Sequence, residues 1–88
     1  MIFISLCKLK KQPTKETFDE LTRRRGELAK EGVKFLSSYW TLGRYDTVNM
    51  IEAPDEKSMM KASIVVGDIV ETETLVAVTR DEAAKLIE

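Results

Sequence analysis

No histidine occurs anywhere in the 88 residues. Serine–histidine and cysteine–histidine nucleophile pairs, histidine general bases and histidine-held metals or haem are therefore excluded. Cysteine is almost as scarce. The single Cys7 has no intrachain disulfide partner, which fits a reducing cytoplasm. Long apolar runs are missing too. The N-terminal "MIFISLCKLKK" places its charges after a hydrophobic stretch far too short to span a bilayer, so neither a signal peptide nor a membrane helix is expected. Nor does one charge dominate. Fourteen Lys and Arg against 15 Asp and Glu leave a net charge of −1, whereas nucleic-acid binders carry a basic surplus. Arg23, Arg24 and Arg25 form a basic run, but consecutive positions on a helix point in different directions and make no single patch.

What is present suffices for one domain, residues 1–88. A chain of this size buries only roughly 60–65% of the surface its unfolded form exposes, so a partner would help to complete its core. Residues 2–9, "IFISLCKL", predict a strand. Residues 14–31 carry a helical period, with Phe18, Leu21, Arg25 and Leu28 spaced by three or four. Thr17-Phe18-Asp19-Glu20 reads as its capping box, and Gly32 suits its end. "KFLSSYWTL" and "YDTVNMIEA" predict a second and third strand joined at Gly43-Arg44, a pair that fits a two-residue type II′ hairpin. A second helix starts with Asp55 as N-cap and carries Met59, Ala62, Ser63 and Val66 on one stripe. "IVETETLVAV" predicts the fourth strand. A last helix begins with Thr79-Arg80-Asp81-Glu82 and is expected to bury Ala83, Leu86 and Ile87. The order β-α-β-β-α-β plus a C-terminal helix predicts an α+β, ferredoxin-like domain with an antiparallel four-stranded sheet.

Strand alternation assigns faces. Ile2, Ile4 and Leu6 share one side of strand 1, Val48 and Met50 one side of strand 3, and Val70, Val76 and Val78 one side of strand 4. These aliphatic sets are expected under the helices. The opposite sets mix polar atoms with Phe3, Leu9, Ile51, Ile69 and Leu75, which water would not tolerate as an uncovered face. Packing this face against a second copy predicts a dimeric α/β barrel whose polar residues line a cavity between the two sheets.

Three blocks, "YWTLGRYD", "VNMIEAPDE" and "VETETLVAVTRDEA", resemble the GYD domain family, named for the glycine, tyrosine and aspartate around its central turn. Here one residue separates Gly43 from Tyr45-Asp46. The resemblance implies the dimeric α/β barrel architecture and homo-oligomers. The family has no assigned biochemical function. The same architecture is similar to amino-acid-sensing domains of leucine-responsive regulators, and to cofactor-free monooxygenases and lactone isomerases. Its haem-binding branch would need an axial histidine.

The candidate ligand-binding residues are Tyr39, Trp40, Tyr45, Asp46, Thr47, Asn49, Glu71 and Glu73. Tyr45 offers a phenol for a ligand, or a ring that packs with a wet hydroxyl. Asp46 either accepts the turn's own backbone N–H groups or serves as a general base. Tyr39 and Trp40 point to opposite faces, and a bulge would decide which meets the cavity. Glu71 and Glu73 share the predicted cavity face with Thr47 and Asn49, as proton carriers or as rim salt bridges. Cys7 reads as a small buried hydrophobe. The expected function is a cytoplasmic, homo-oligomeric small-molecule-binding domain with its pocket between the two sheets and no cofactor, metal, nucleic acid or membrane partner. An oxygenase- or isomerase-like enzyme using Tyr45 with Glu73 or Asp46, and a purely structural assembly module, are the alternatives.

Overall fold

Thr14 sets the start of the first helix. Its hydroxyl accepts the Thr17 backbone N–H at 3.2 Å, and the Thr17 hydroxyl accepts the Thr14 N–H at 3.1 Å. The capping box thus lies one turn earlier than expected, with Thr17 as its far partner, and Glu20 is released to pair with arginines. A computed structural model describes residues 1–87. Its elements run β1 (Ile2–Leu9), α1 (Lys15–Ala29), β2 (Lys34–Trp40), β3 (Thr47–Glu52), α2 (Glu56–Val65), β4 (Val70–Ala77) and α3 (Arg80–Lys85). The strands form one sheet in the order β2-β3-β1-β4, antiparallel throughout. This is the expected ferredoxin-like α+β arrangement.

Asp55 caps α2 as expected, its carboxylate accepting the Ser58 N–H at 2.8 Å. Gly32 closes α1 with φ +88°, and a Cβ there would meet Pro54 Cγ at 3.0 Å. Only glycine lets the helix end approach the β3–α2 connection so closely. The β2–β3 connection is longer than a two-residue hairpin. It spans residues 41–46, closed by Thr41 N–H donating to the Asp46 carbonyl at 2.8 Å. Gly43 does hold φ +103°. The strands stop short because Asp46 is drawn to β1 instead: its N–H donates to the Cys7 carbonyl at 2.8 Å, and its carboxylate accepts the Leu9 N–H at 2.7 Å. The aspartate therefore ties down a neighbouring strand rather than the turn's own donors.

The two faces of β1 and β3 are the reverse of the expectation. Phe3, Ser5, Cys7, Asn49 and Ile51 are buried under α1 and α2, where Phe3 and Ile51 join Leu28, Val33, Ala53, Met59 and Ala62 in the core. Register places Ile4, Leu6, Val48 and Met50 on the outer face with Leu75 and Glu73. Only β4 follows the expected phase, with Val70 buried inward, but Val76 and Val78, also expected under the helices, are exposed. Hydropathy chose wrongly for β1 and β3 because the inward polar side chains bond to one another, and that removes most of the penalty for burying them. The outer face, with Met50 43% and Leu75 44% exposed, has no cover among the described residues. α3 is capped by Thr79, but Leu86 and Ile87 are exposed, so the helix does not bury them as expected.

Candidate functional site

The inward face of the sheet does not close completely against α1 and α2. A cavity of about 250 Å³ remains between them. Its floor is apolar, from Ile51 on β3 to Met59 and Ala62 on α2, and Phe18 of α1 and Trp40 of β2 stand at its edge. Their rings lie 5.9 Å apart at 49°, and both are about half exposed, so this edge is the mouth.

One polar chain crosses this apolar space. Ser5 Oγ lies 3.2 Å from Cys7 Sγ, and Asn49 Nδ2 donates to the same sulfur at 3.6 Å. Asn49 Oδ1 accepts from Arg25 Nη2 at 3.3 Å, and Arg25 Nη1 donates to Ser38 Oγ at 3.1 Å. The Arg25 Cζ sits 4.1 Å over the Phe35 ring, a stacking contact that steadies the guanidinium plane. Burial pushes the Arg25 pKa down, partly offset by the nearby Cys7. Among the described residues, the cavity lining contains no carboxylate.

A β-bulge brings Ser38 to Arg25. Phe35 pairs with Ile51 and Ser37 with Met50, which leaves Leu36 as the extra residue. After it Ser38 and Trp40 lie opposite Asn49 and Thr47, on the cavity side. Tyr39 lies opposite Val48 on the outer side, is 64% exposed, and touches the cavity only at its rim.

Of the eight candidate residues, Trp40, Thr47 and Asn49 meet in this cavity, with Tyr39 at its edge. Tyr45, Asp46, Glu71 and Glu73 do not line it. The Tyr45 hydroxyl instead donates to Glu73 Oε2 at 2.5 Å on the outer side. That bond to a carboxylate, with some desolvation and the Glu73 charge, raises the phenol's pKa. A phenol held in its protonated form is a donor and a poor base. Glu71 is exposed beside Lys8 on β1. Among the described residues, no cluster of acidic or thiol side chains is placed to hold a metal ion, and no helix is long and apolar enough to cross a membrane.

Sequence reasoning missed Arg25, Ser38 and Ser5 as site residues. The signal for Arg25 was present: an arginine in register with Phe18, Leu21 and Leu28 on an apolar stripe. Ser38 was hidden, because its side depends on the bulge.

The family profile of the GYD domain matches residues 3–87, nearly the whole chain. The chain belongs to the GYD domain family. No curated protein matches it. In this GYD domain the three signature residues of the turn are fasteners. Gly43 supplies the positive φ, Tyr45 reaches β4 through Glu73, and Asp46 holds the end of β1. The cavity of the GYD domain lies under the helices, on the side of β1 and β3 that carries Ser5, Cys7, Thr47, Asn49 and Ile51, the set expected to meet a second copy.

Proposed function

We propose that this chain is a small-molecule-binding domain whose pocket lies between the sheet and helices α1 and α2, and that it works as a homodimer closed over the outer sheet face. The cavity carries the first half of this reading. A mostly apolar space with a few convergent polar groups, here Arg25, Ser38, Asn49 and Cys7, is the usual form of a small-ligand site. The uncovered outer face supports the second half. Its apolar centre of Ile4, Leu6, Val48, Met50 and Leu75 is flanked by the cross-strand neighbours Lys8–Glu71 and Lys34–Glu52. Each end of the face thus pairs opposite charges, and Glu73, beside Glu71 on β4, is bonded by the Tyr45 hydroxyl.

Filling the cavity tests the binding reading. Ser63 lines it from α2, with its hydroxyl donating to the Met59 carbonyl. Ser63→Leu should place a side chain in the void and keep the fold. In thermal-shift titrations with single-ring compounds, wild type should be stabilised, by about 2.7 kcal/mol at 100 times Kd, and Ser63→Leu should not respond. If no compound shifts wild type, the binding reading fails.

A further inference from the structure

Arg23, Arg24 and Arg25 are consecutive, yet among the described residues only two of them have anionic partners. Arg23 pairs with Glu20, and Arg24 is shared between Glu20 and Asp68. Arg25, which reaches the cavity, has no carboxylate within 4.0 Å among the described residues. A long cationic side chain beside apolar surface ordinarily snorkels its head into water. Arg25 reaches inward instead. One acceptor, Asn49, is only 3% exposed, and the Phe35 ring lies against the guanidinium plane. A guanidinium has five N–H donors, and the protein takes up two of them here, at Ser38 and Asn49. A half-buried cation of this kind is favoured by an anion that can use the remaining donors in a fork.

From this arrangement we infer that the cavity takes a small, flat organic acid, its carboxylate on the free N–H groups of Arg25 and its apolar body against the cavity floor. The inference rests on the cavity being a binding pocket, and it specifies which chemical class the pocket selects. Size sets the body. An engineered cavity of about 150 Å³ accommodates benzene, so about 250 Å³ admits one ring with a carboxylate and a short substituent. The Phe18 and Trp40 rings at the mouth suit a flat ring better than a long flexible chain. Neutral groups alone do not explain the arrangement, because Ser38 and Asn49 leave the guanidinium charge without a counter-ion. A bound carboxylate would supply the opposite charge that favours the protonated guanidinium where burial disfavours it.

The test compares acids with near-isosteric amides, in which an uncharged NH2 donor replaces one carboxylate oxygen: benzoate with benzamide, and phenylacetate with phenylacetamide. Titrations follow the intrinsic fluorescence of Trp40, the chain's one tryptophan, and calorimetric heat. Three proteins are titrated: wild type, Arg25→Met and Arg25→Lys, each checked for fold by circular dichroism and melting. Wild type should bind the acids about tenfold or more tightly than the amides, the scale of a charge-assisted hydrogen-bond pair. Arg25→Met should abolish that preference, with the acids losing more affinity than the amides, and Arg25→Lys should retain part of it. If wild type binds amides as tightly as acids, or Arg25→Met keeps the preference, the acid assignment is overturned while the pocket stands. If no compound of either charge binds wild type, the pocket reading falls and the acid assignment with it. Should Arg25→Met fail to fold, the acid–amide ratio in wild type and Arg25→Lys decides the matter alone.

Discussion

Gly43 shows how little of the central turn depends on packing. A Cβ there would meet nothing within 4 Å, so the only barrier to substitution is φ +103°. Gly43→Val should cost at least about 1 kcal/mol in urea denaturation, because a β-branched side chain is an outlier at positive φ. Gly43→Asn should cost less, since asparagine tolerates that region. Equal stability of all three proteins would mean that the loop relaxes to another path. Tyr45 makes a separate case. Its hydroxyl bonds to Glu73 outside the cavity and in contact with solvent, so Tyr45→Phe should lose little stability, because water replaces the lost partner. Ligand affinity should be unchanged. Weakened binding in the variant would place the phenol in the site after all.

At the scale of elements, α1 assigns a different job to each of three successive arginines. Arg24 carries the tertiary work: its guanidinium holds Asp68 through both Nη groups and bonds the Val65 carbonyl, fastening α1 to the end of α2. Glu20 completes the cluster. Hydrogen bonds from Arg23 and Arg24 lower its pKa from 4.5 to about 2. A depressed carboxylate pKa stabilises the fold above the unfolded value, and that contribution is lost as pH falls toward the folded value. Melting temperature should therefore decline between about pH 4.5 and pH 2. The slope should be shallower in Glu20→Gln and at high salt, because the cluster is at the surface and screened. An unchanged slope in Glu20→Gln would assign the acid sensitivity elsewhere.

Element order was legible because each period is clean: two for the strands, three to four for α1 and α2, with Asp55 and Thr79 marking helix starts. Facing was not legible for β1 and β3. Ile2, Ile4 and Leu6 are more aliphatic than Phe3, Ser5 and Cys7, and hydropathy alone cannot foresee that Cys7 will take Ser5 of its own strand and Asn49 of β3 as partners. The same reversal took Thr47 and Asn49 to a cavity under the helices and left Glu71 and Glu73 outside. Trp40 reached the cavity through a shift in alternation that no periodicity reports.

For the whole molecule, the adjacent residues Met50 and Ile51 separate folding from assembly. Ile51 is 1% exposed in the core, and Met50 lies half-exposed on the outer face. Ile51→Asp should unfold the chain, since a carboxylate would enter the core without a partner. Met50→Lys should leave circular dichroism intact and turn a dimer into a monomer in sedimentation equilibrium. A stable dimer needs roughly 1,200 Å² of buried surface or more, and the outer sheet face is the apolar area offered for it. If wild type sediments as a 10.0 kDa monomer at micromolar concentration, the homodimer is refuted. If it is a dimer, its melting temperature should rise with protein concentration, as mass action requires.

Leu36 makes β2 behave like a message with one letter inserted. Before it, Phe35 addresses the interior. After it, the words are read one place late, so Ser38 and Trp40 arrive inside while Ser37 and Tyr39 go out. Residue identity along 37–40 therefore matters less than the count of residues from 35 to 40. Many single replacements there leave the frame intact, whereas losing or gaining one residue would hand the cavity a different pair of side chains and part Arg25 from Ser38.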